Sequence, residues 1–454
     1  MPGNSGPFCR CAPRFLLGFV RSHILDIAIG AALFAMAFLL AASYLFTWGG
    51  KTDYYQNRLA PAVMLASGRG FLDVSPAQVP GLQSFLEEKS NYFSASDIPE
   101  LLNTSPPNAW HRAHRYQYYL IACIWRLFGI SWTSLYPLFG LFYGISTLLI
   151  YAIFRIYSNR LLSVTGALIL LTSPTAMAML PYFRDYSIAP FMLAEILIII
   201  LLVKFPPAKG RTILLAVAGG VIAGIGSGFR QDFIVCIPIM LSVYQFLVPL
   251  LFKRCFKLTD SAARIFLLLY VILSYPTKPA GDEGSNTYQF ILAGMMKPYD
   301  ALLGVENEDY AFGPYYSDEQ VGLIVNAYAF LKDGNGDSLA HRTAGYDKYT
   351  SELFYDILRR FPADILIRAY ASTFSLFDTQ PIGSLVTATE LQAQYYIMPP
   401  GTRNSTLISF YKWRTRFVAV FWGYTKYIVV LLLVVMAFKN IRMALVYTLL
   451  LLYF

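Results

Sequence analysis

The stretch ILDIAIGAALFAMAFLLAASYLF, Ile24 to Phe46, decides the class of this chain. It is an apolar run of about 23 residues, enough for one helix to cross the hydrocarbon core of a bilayer. Arg10, Arg14 and Arg21 precede it, as basic residues precede the apolar part of a signal peptide. The run is too long for that role, and no small-residue cleavage pattern follows it. An uncleaved first span with a cytoplasmic N-terminus is expected.

Composition extends the argument to the whole chain. Its 454 residues are 56% hydrophobic with a mean hydropathy of +0.49, more apolar surface than a soluble protein can hide. A net charge of +9 would suit nucleic acid, but the charges are sorted along the chain. Short basic loops at 155–160, 204–211, 253–264 and 439–442 alternate with loops that carry Asp53, Asp185 and Asp232. Segment 278–412 holds more Asp and Glu than Lys and Arg. Lys and Arg mark the cytoplasmic side, so the pattern is membrane topology and no nucleic-acid partner is expected.

Further spans are expected at 133–154, 161–181, 188–205, 212–228, 233–252, 262–276 and 416–438. A last run starts at Met443 and ends at Phe454, so the chain reads as truncated inside a span. The expected fold is an all-α polytopic membrane protein, a helix bundle of about nine spans with a large, mostly helical outer segment. It divides into a cytoplasmic tail 1–23, a bundle 24–277 with a first outer loop 47–131, the outer segment 278–412, and C-terminal spans in 413–454.

Within the first loop, Tyr54 to Ala66 and Tyr116 to Phe128 have the periodicity of helices lying along the membrane surface. Outer-segment helices are expected at Gln320 to Leu331 and Tyr349 to Arg360. Beyond them comes an interfacial stripe of Leu366, Tyr370, Phe374 and Phe377. None of the five cysteines lies in that segment, so no disulfide framework is implied.

Gly50-Lys51-Thr52-Asp53-Tyr54-Tyr55 follows the first span, and Leu65-Ala66-Ser67-Gly68-Arg69-Gly70-Phe71 comes after it. His114-Arg115-Tyr116, Leu127-Phe128-Gly129, Tyr151-Ala152-Ile153-Phe154-Arg155, Thr172-Ser173-Pro174 and Arg184-Asp185 succeed one another. In order and sidedness these motifs resemble the first half of GT-C-type membrane glycosyltransferases, the group of the dolichyl-phosphate-mannose protein mannosyltransferases and aminoarabinose transferases. The resemblance implies that Asp53 activates an acceptor or holds a metal near a sugar phosphate, and that Asp185 faces the same cavity. Many relatives carry two adjacent acids at the first site, whereas Asp53 is followed by Tyr54. That weakens chelation, so no cofactor is expected and a divalent metal is not indicated.

Each residue also has a plainer role. Asp53 before a helix can cap orphan N–H groups. Arg184-Asp185 can be a local ion pair, and Arg230 can snorkel to headgroups. Yet guanidinium grips phosphate oxygens bidentately, which suits Arg184 and Arg230 to an anionic lipid donor. Arg230 and Asp232 repeat the Arg184-Asp185 arrangement one hairpin later. His111-Arg112-Ala113-His114-Arg115 reads as headgroup contact, since no carboxylate stands at the offset a metal would need. Cys9-Arg10-Cys11 is too short a spacing for zinc. Asp333-Gly334-Asn335-Gly336-Asp337 mimics the start of an EF-hand. It lacks Gly at the sixth position and Glu at the twelfth, and reads as a turn. Asn103 and Asn404 open glycosylation sequons.

The expected function is transfer of a sugar from a polyprenyl-phosphate donor to a glycan, lipid or protein acceptor on the non-cytoplasmic face. Asp53 would be the general base, with Asp185 beside it and inversion at the anomeric carbon. Arg184 and Arg230 would hold the donor phosphate, and Tyr54, Tyr55, Asp232, His114 and Arg115 would line the cavity. The setting is the cell (inner) membrane, with membrane lipids as further partners. A transporter or flippase of lipid-linked saccharides is the competing reading, with a non-catalytic membrane protein behind it. Transport would favour charges deep within spans, where Glu195 is the main exception to a nearly uncharged interior.

Overall fold

The computed structural model describes residues 12–48, 56–252, 256–278, 287–295, 318–334, 339, 343–364 and 366–367. Asp53, Tyr54, Tyr55, the spans expected after residue 412, most of the Leu366 stripe and the Asn404 sequon lie outside the described residues.

The described chain is mostly helical. It begins with α1 (Ala12–Trp48), α2 (Ala60–Ala66), α3 (Leu82–Leu86), α4 (Ala109–Ala113) and α5 (Arg115–Phe128). The bundle helices α6 (Tyr136–Tyr157), α7 (Arg160–Leu171), α8 (Pro174–Met179), α9 (Phe183–Tyr186), α10 (Ala189–Lys204) and α11 (Lys209–Gly226) follow. Next come α12 (Cys236–Ser242), α13 (Val248–Phe252), α14 (Phe256–Ser274) and α15 (Thr287–Met295), then α16 (Asp318–Asp333) and α17 (Ala344–Arg360). Among the described residues, five stretches are long and apolar enough to cross a membrane: Ile24–Phe46, Thr133–Tyr157, Phe183–Lys204, Lys209–Gly226 and Gln231–Phe252. By that measure this is a membrane protein.

The described residues form two compact units. One takes the residues up to Pro107 and from His114 to Tyr275; the other takes Asn108–Ala113 and residues from Pro276 on.

In the first unit α1 packs on α6, α6 on α7 and α10, α10 on α11, and α11 on α14. Small residues at four-residue spacing, Ala216, Gly220 and Gly224, let α11 approach α14 closely. A Cβ at Gly220 would lie 2.7 Å from the Phe266 carbonyl oxygen, so only glycine fits. At one end of the bundle Asp26 of α1 accepts from Arg155 Nε at 3.1 Å, Arg160 Nε at 2.7 Å and Tyr151 Oη at 3.1 Å. That ties α1 to the turn between α6 and α7, which Asn159 caps by accepting from the Leu162 N–H.

Two sequence expectations change here. The span expected at 161–181 breaks at Thr172-Ser173-Pro174. Ser173 caps α8 by accepting from the Ala176 N–H, and Pro174 opens that helix where its missing N–H costs nothing. This leaves α7 with 12 residues, fewer than a helix needs to cross alone. The surface helix expected at Tyr54 to Ala66 is instead a 3₁₀ turn, Gln56–Arg58, followed by α2. Ala60, Pro61, Ala62, Val63, Met64 and Ala66 of α2 are all buried, so α2 is a core element of the first loop.

That loop shares one core with α1 and α6 and adds an aromatic group to it. Phe85 stacks on Trp132 with ring centroids 5.0 Å apart, and Trp125 meets both edge-on. The indole N–H groups do not go unsatisfied: Trp132 Nε1 donates to the Phe85 carbonyl at 2.8 Å and Trp125 Nε1 to Ser131 at 2.9 Å. Asp73–Val74 and Thr104–Ser105 pair as a short antiparallel ladder, with Asn103 exposed beside it.

The second unit is a small helical cluster. Leu292, Val321, Val325, Tyr346, Leu353 and Ile357 bury together where α15, α16 and α17 meet. Thr343 caps α17, and Phe361-Pro362 stops it.

Candidate functional site

The site grows from two local breaks in the bundle. The first is α9, a single turn that holds Arg184 and Asp185 at the entrance to α10. The second is Arg230, which leaves α11 in extended conformation before the 3₁₀ turn Gln231–Val235. Extension there aims Arg230 back at α9. Its Nη1 donates to Asp185 Oδ1 at 2.7 Å and its Nε to Asp232 Oδ2 at 2.7 Å.

Arg184 approaches the same Asp185 oxygen at 3.6 Å, and its Nε donates to His114 Nε2 at 3.1 Å. His114 is buried, and it accepts here through a ring nitrogen that must carry a lone pair. Exposure of the charged side chains rises outward, from 14% for Arg184 and 17% for Asp185 to 28% for Arg230 and 42% for Asp232. Two cations and two anions balance, so the cluster can sit half-buried without a net charge to solvate.

Gly228 and α5 register His114 against this cluster. The N–H of Tyr116 donates to the Gly228 carbonyl at 3.2 Å, and Tyr116 Oη donates to Leu273 on α14. A Cβ at Gly228 would overlap the Tyr116 ring, so this contact depends on glycine. Burial holds the Tyr116 phenol above its ordinary range, keeping it a neutral donor.

Arg184 also faces a pocket of about 40 Å³ within the first unit. Its walls are aromatic, from Trp132, Tyr136, Phe139 and Phe183, and its polar groups are Gln56, Glu88, Gln117 and Arg184. Flat aromatic faces and a few convergent polar groups thus meet in a space large enough for about three waters. Gln56 lies three positions after Asp53 in the sequence.

Glu88 is the residue that sequence reasoning missed. Lys89 N–H bonds back to Ser84 and Glu88 N–H to Phe85, which makes Glu88 the residue closing α3 in a Schellman turn. That position needs positive φ, and Glu88 adopts +55° where glycine is usual. A strained non-glycine whose side chain lines a pocket is a functional candidate. Glu87-Glu88-Lys89 looks like an ordinary solvated charge run in sequence, and nothing in it signals the turn. Gln56 and Gln117 were equally silent.

Of the expected site residues, Asp185, Asp232, Arg184, Arg230 and His114 thus form one connected network. Arg115 stands apart. It donates to Tyr119 Oη at 2.8 Å and lies over the rings of Phe71 and Tyr119. His111 and Arg112 belong to the second unit. Among the described residues no group of three or more His, Cys, Asp or Glu gathers as a metal site. In comparison with known proteins, the chain matches no family model, no curated protein and no solved structure.

Proposed function

We propose that this protein is an inverting glycosyltransferase. It would move a sugar from a polyprenyl-phosphate donor to an acceptor on the non-cytoplasmic face of a cell membrane. In this reading the chain crosses the membrane about nine times, α7 and α8 together making one crossing, the N-terminus is cytoplasmic, and the Asp185 cluster and segment 278–412 lie outside. No nucleotide sugar is available on that side, so the donor is lipid-linked.

The observation that carries the proposal is the double position of Arg184, which lines the aromatic pocket and also reaches Asp185 and His114. The two arginines divide the work. Arg230 has Nε and Nη1 committed to carboxylates, so it holds the cluster together. Arg184 donates from Nε to His114, approaches Asp185 at 3.6 Å and borders the aromatic pocket, which suits its guanidinium to the donor phosphate. The leaving lipid phosphate needs no proton, so charge stabilisation by Arg184 and a base at Asp53 suffice. The pocket, with room for about three waters, would receive one edge of the sugar, a hydroxyl or hydroxymethyl group meeting Gln56, Glu88 and Gln117.

The test is transfer from a radiolabelled polyprenyl-phosphate sugar in sealed vesicles carrying the full chain. Arg184→Gln should raise the KM for the donor at least about tenfold while the protein stays folded. Unchanged donor kinetics in a folded Arg184→Gln protein would remove the proposal's main support.

A further inference from the structure

One buried acid has no place in the surface chemistry. Glu195 lies in the middle of α10 with 1% of its surface exposed, and neither carboxyl oxygen has a hydrogen-bond partner. Gly219 of α11 makes the room for it. A Cβ at position 219 would lie 3.3 Å from Glu195 Oε2, and 3.4 Å from both Met240 Cε of α12 and Phe266 Cδ2 of α14. The carboxyl therefore occupies an apolar junction of four helices.

Among the described residues no Lys, Arg or His pairs with it. Several charged side chains of the same helices are engaged elsewhere. Lys204 and Arg211 stack on Tyr157 and Phe205, and Arg264 pairs with Asp260. An unpaired carboxylate in such a place would face a prohibitive desolvation cost, whereas a carboxylic acid would not.

The second observation is a distortion in the chain opposite. Val243–Leu247 winds as a π-turn between α12 and α13, with the Val248 N–H reaching back five residues to the Val243 carbonyl. Pro249 explains it: proline offers no N–H to the Gln245 carbonyl, and its ring would crowd that group in a regular turn. The wide turn carries Tyr244, fully buried, its hydroxyl without a hydrogen-bond partner and its ring centroid 6.1 Å from that of Phe266, which borders the same Gly219 gap as Glu195. Two polar groups left without partners in one apolar junction, one of them on a π-turn, are not explained by packing.

We propose that Glu195 and Tyr244 form a proton-binding site inside the bundle, with Glu195 as the acid and Tyr244 as the hydroxyl that, on contact, accepts its proton while passing its own to water. The site is independent of the sugar-transfer reading and stands or falls separately.

Full-length protein in lipid vesicles is treated with dicyclohexylcarbodiimide, which partitions into apolar regions and reacts with undissociated carboxyls. The acid proton passes to a carbodiimide nitrogen while the carboxyl oxygen bonds the central carbon. The resulting O-acylisourea rearranges to a stable N-acylurea that peptide mass spectrometry detects. The expected result is an adduct on Glu195 that is absent from Glu195→Gln and is not formed by a water-soluble carbodiimide. Wild-type protein left unlabelled at Glu195, or labelled equally by both reagents, would overturn the acid assignment.

Infrared spectroscopy supplies the second readout. The carboxylic C=O band lost in Glu195→Gln should exchange with deuterium several-fold more slowly in Tyr244→Phe. An unchanged exchange rate would overturn the relay and leave Tyr244 a packing residue.

Discussion

Arg230 Nη1 donates to Asp185 Oδ1 at 2.7 Å across 45 residues of chain, joining the ends of two separate bundle helices. Both side chains are mostly buried, so each depends on the other for solvation. A double-mutant cycle on Arg230→Gln and Asp185→Asn should give a coupling energy of about 0.5–3 kcal/mol, measured by unfolding in detergent. Additive effects would show that the pair does not hold the cluster.

Asp53→Asn keeps a helix-capping oxygen while removing basicity. Turnover should fall by about 10²-fold or more, with expression and donor binding nearly intact. Transfer at the wild-type rate would end its role as base; failure to fold would support the capping role alone.

Glu88→Gly should separate stability from function. Glycine relieves the positive φ, so the loop should be unaffected or stabilised by up to about 1 kcal/mol. Transfer should nevertheless fall, because the pocket loses a carboxyl. A variant that is both less stable and equally active would contradict the assignment.

Gly228→Ala forces a methyl group into the Tyr116 ring. Overpacking of this kind costs about 1–3 kcal/mol, read as a lowered Tm, and it should shift His114 away from Arg184. Gly210→Ala, which meets open space, is the control and should leave Tm unchanged.

The second unit carries an acid-sensitive pair. Tyr328 Oη donates to Asp356, and Tyr349 Oη to Asp333 at 2.6 Å. These hydrogen bonds hold both carboxyls below the ordinary aspartate range. A depressed folded value adds stability above the unfolded value of about 3.9, and that stability is lost as pH falls through the folded one. Hydrogen exchange in α16 and α17 should therefore lose protection on acidification, and Tyr328→Phe should flatten that slope. Identical slopes would refute it.

Topology has its own test. Asp300→Cys in sealed vesicles should react with an impermeant thiol reagent only from the non-cytoplasmic side. Labelling from the cytoplasm alone would remove the basis for a lipid-linked donor.

Long-range hydrophobicity was legible in the sequence because a helix in lipid must be apolar over about 20 residues, whatever surrounds it. Ile24–Phe46 and Lys209–Gly226 follow from that rule alone. The pairing of an Arg with an Asp near each break was also legible, as residue types. What tertiary structure decided is which groups meet. The Arg230–Asp185 bond depends on extended backbone after Gly228. Burial of α2 depends on aromatic packing across the first loop, which its amphipathic pattern does not reveal. Glu88 owes its position to a helix-closing turn, and Tyr244 to a π-turn forced by Pro249. Each is set by backbone geometry that only the packed chain imposes, because local sequence permits several turns and contacts with distant residues select one.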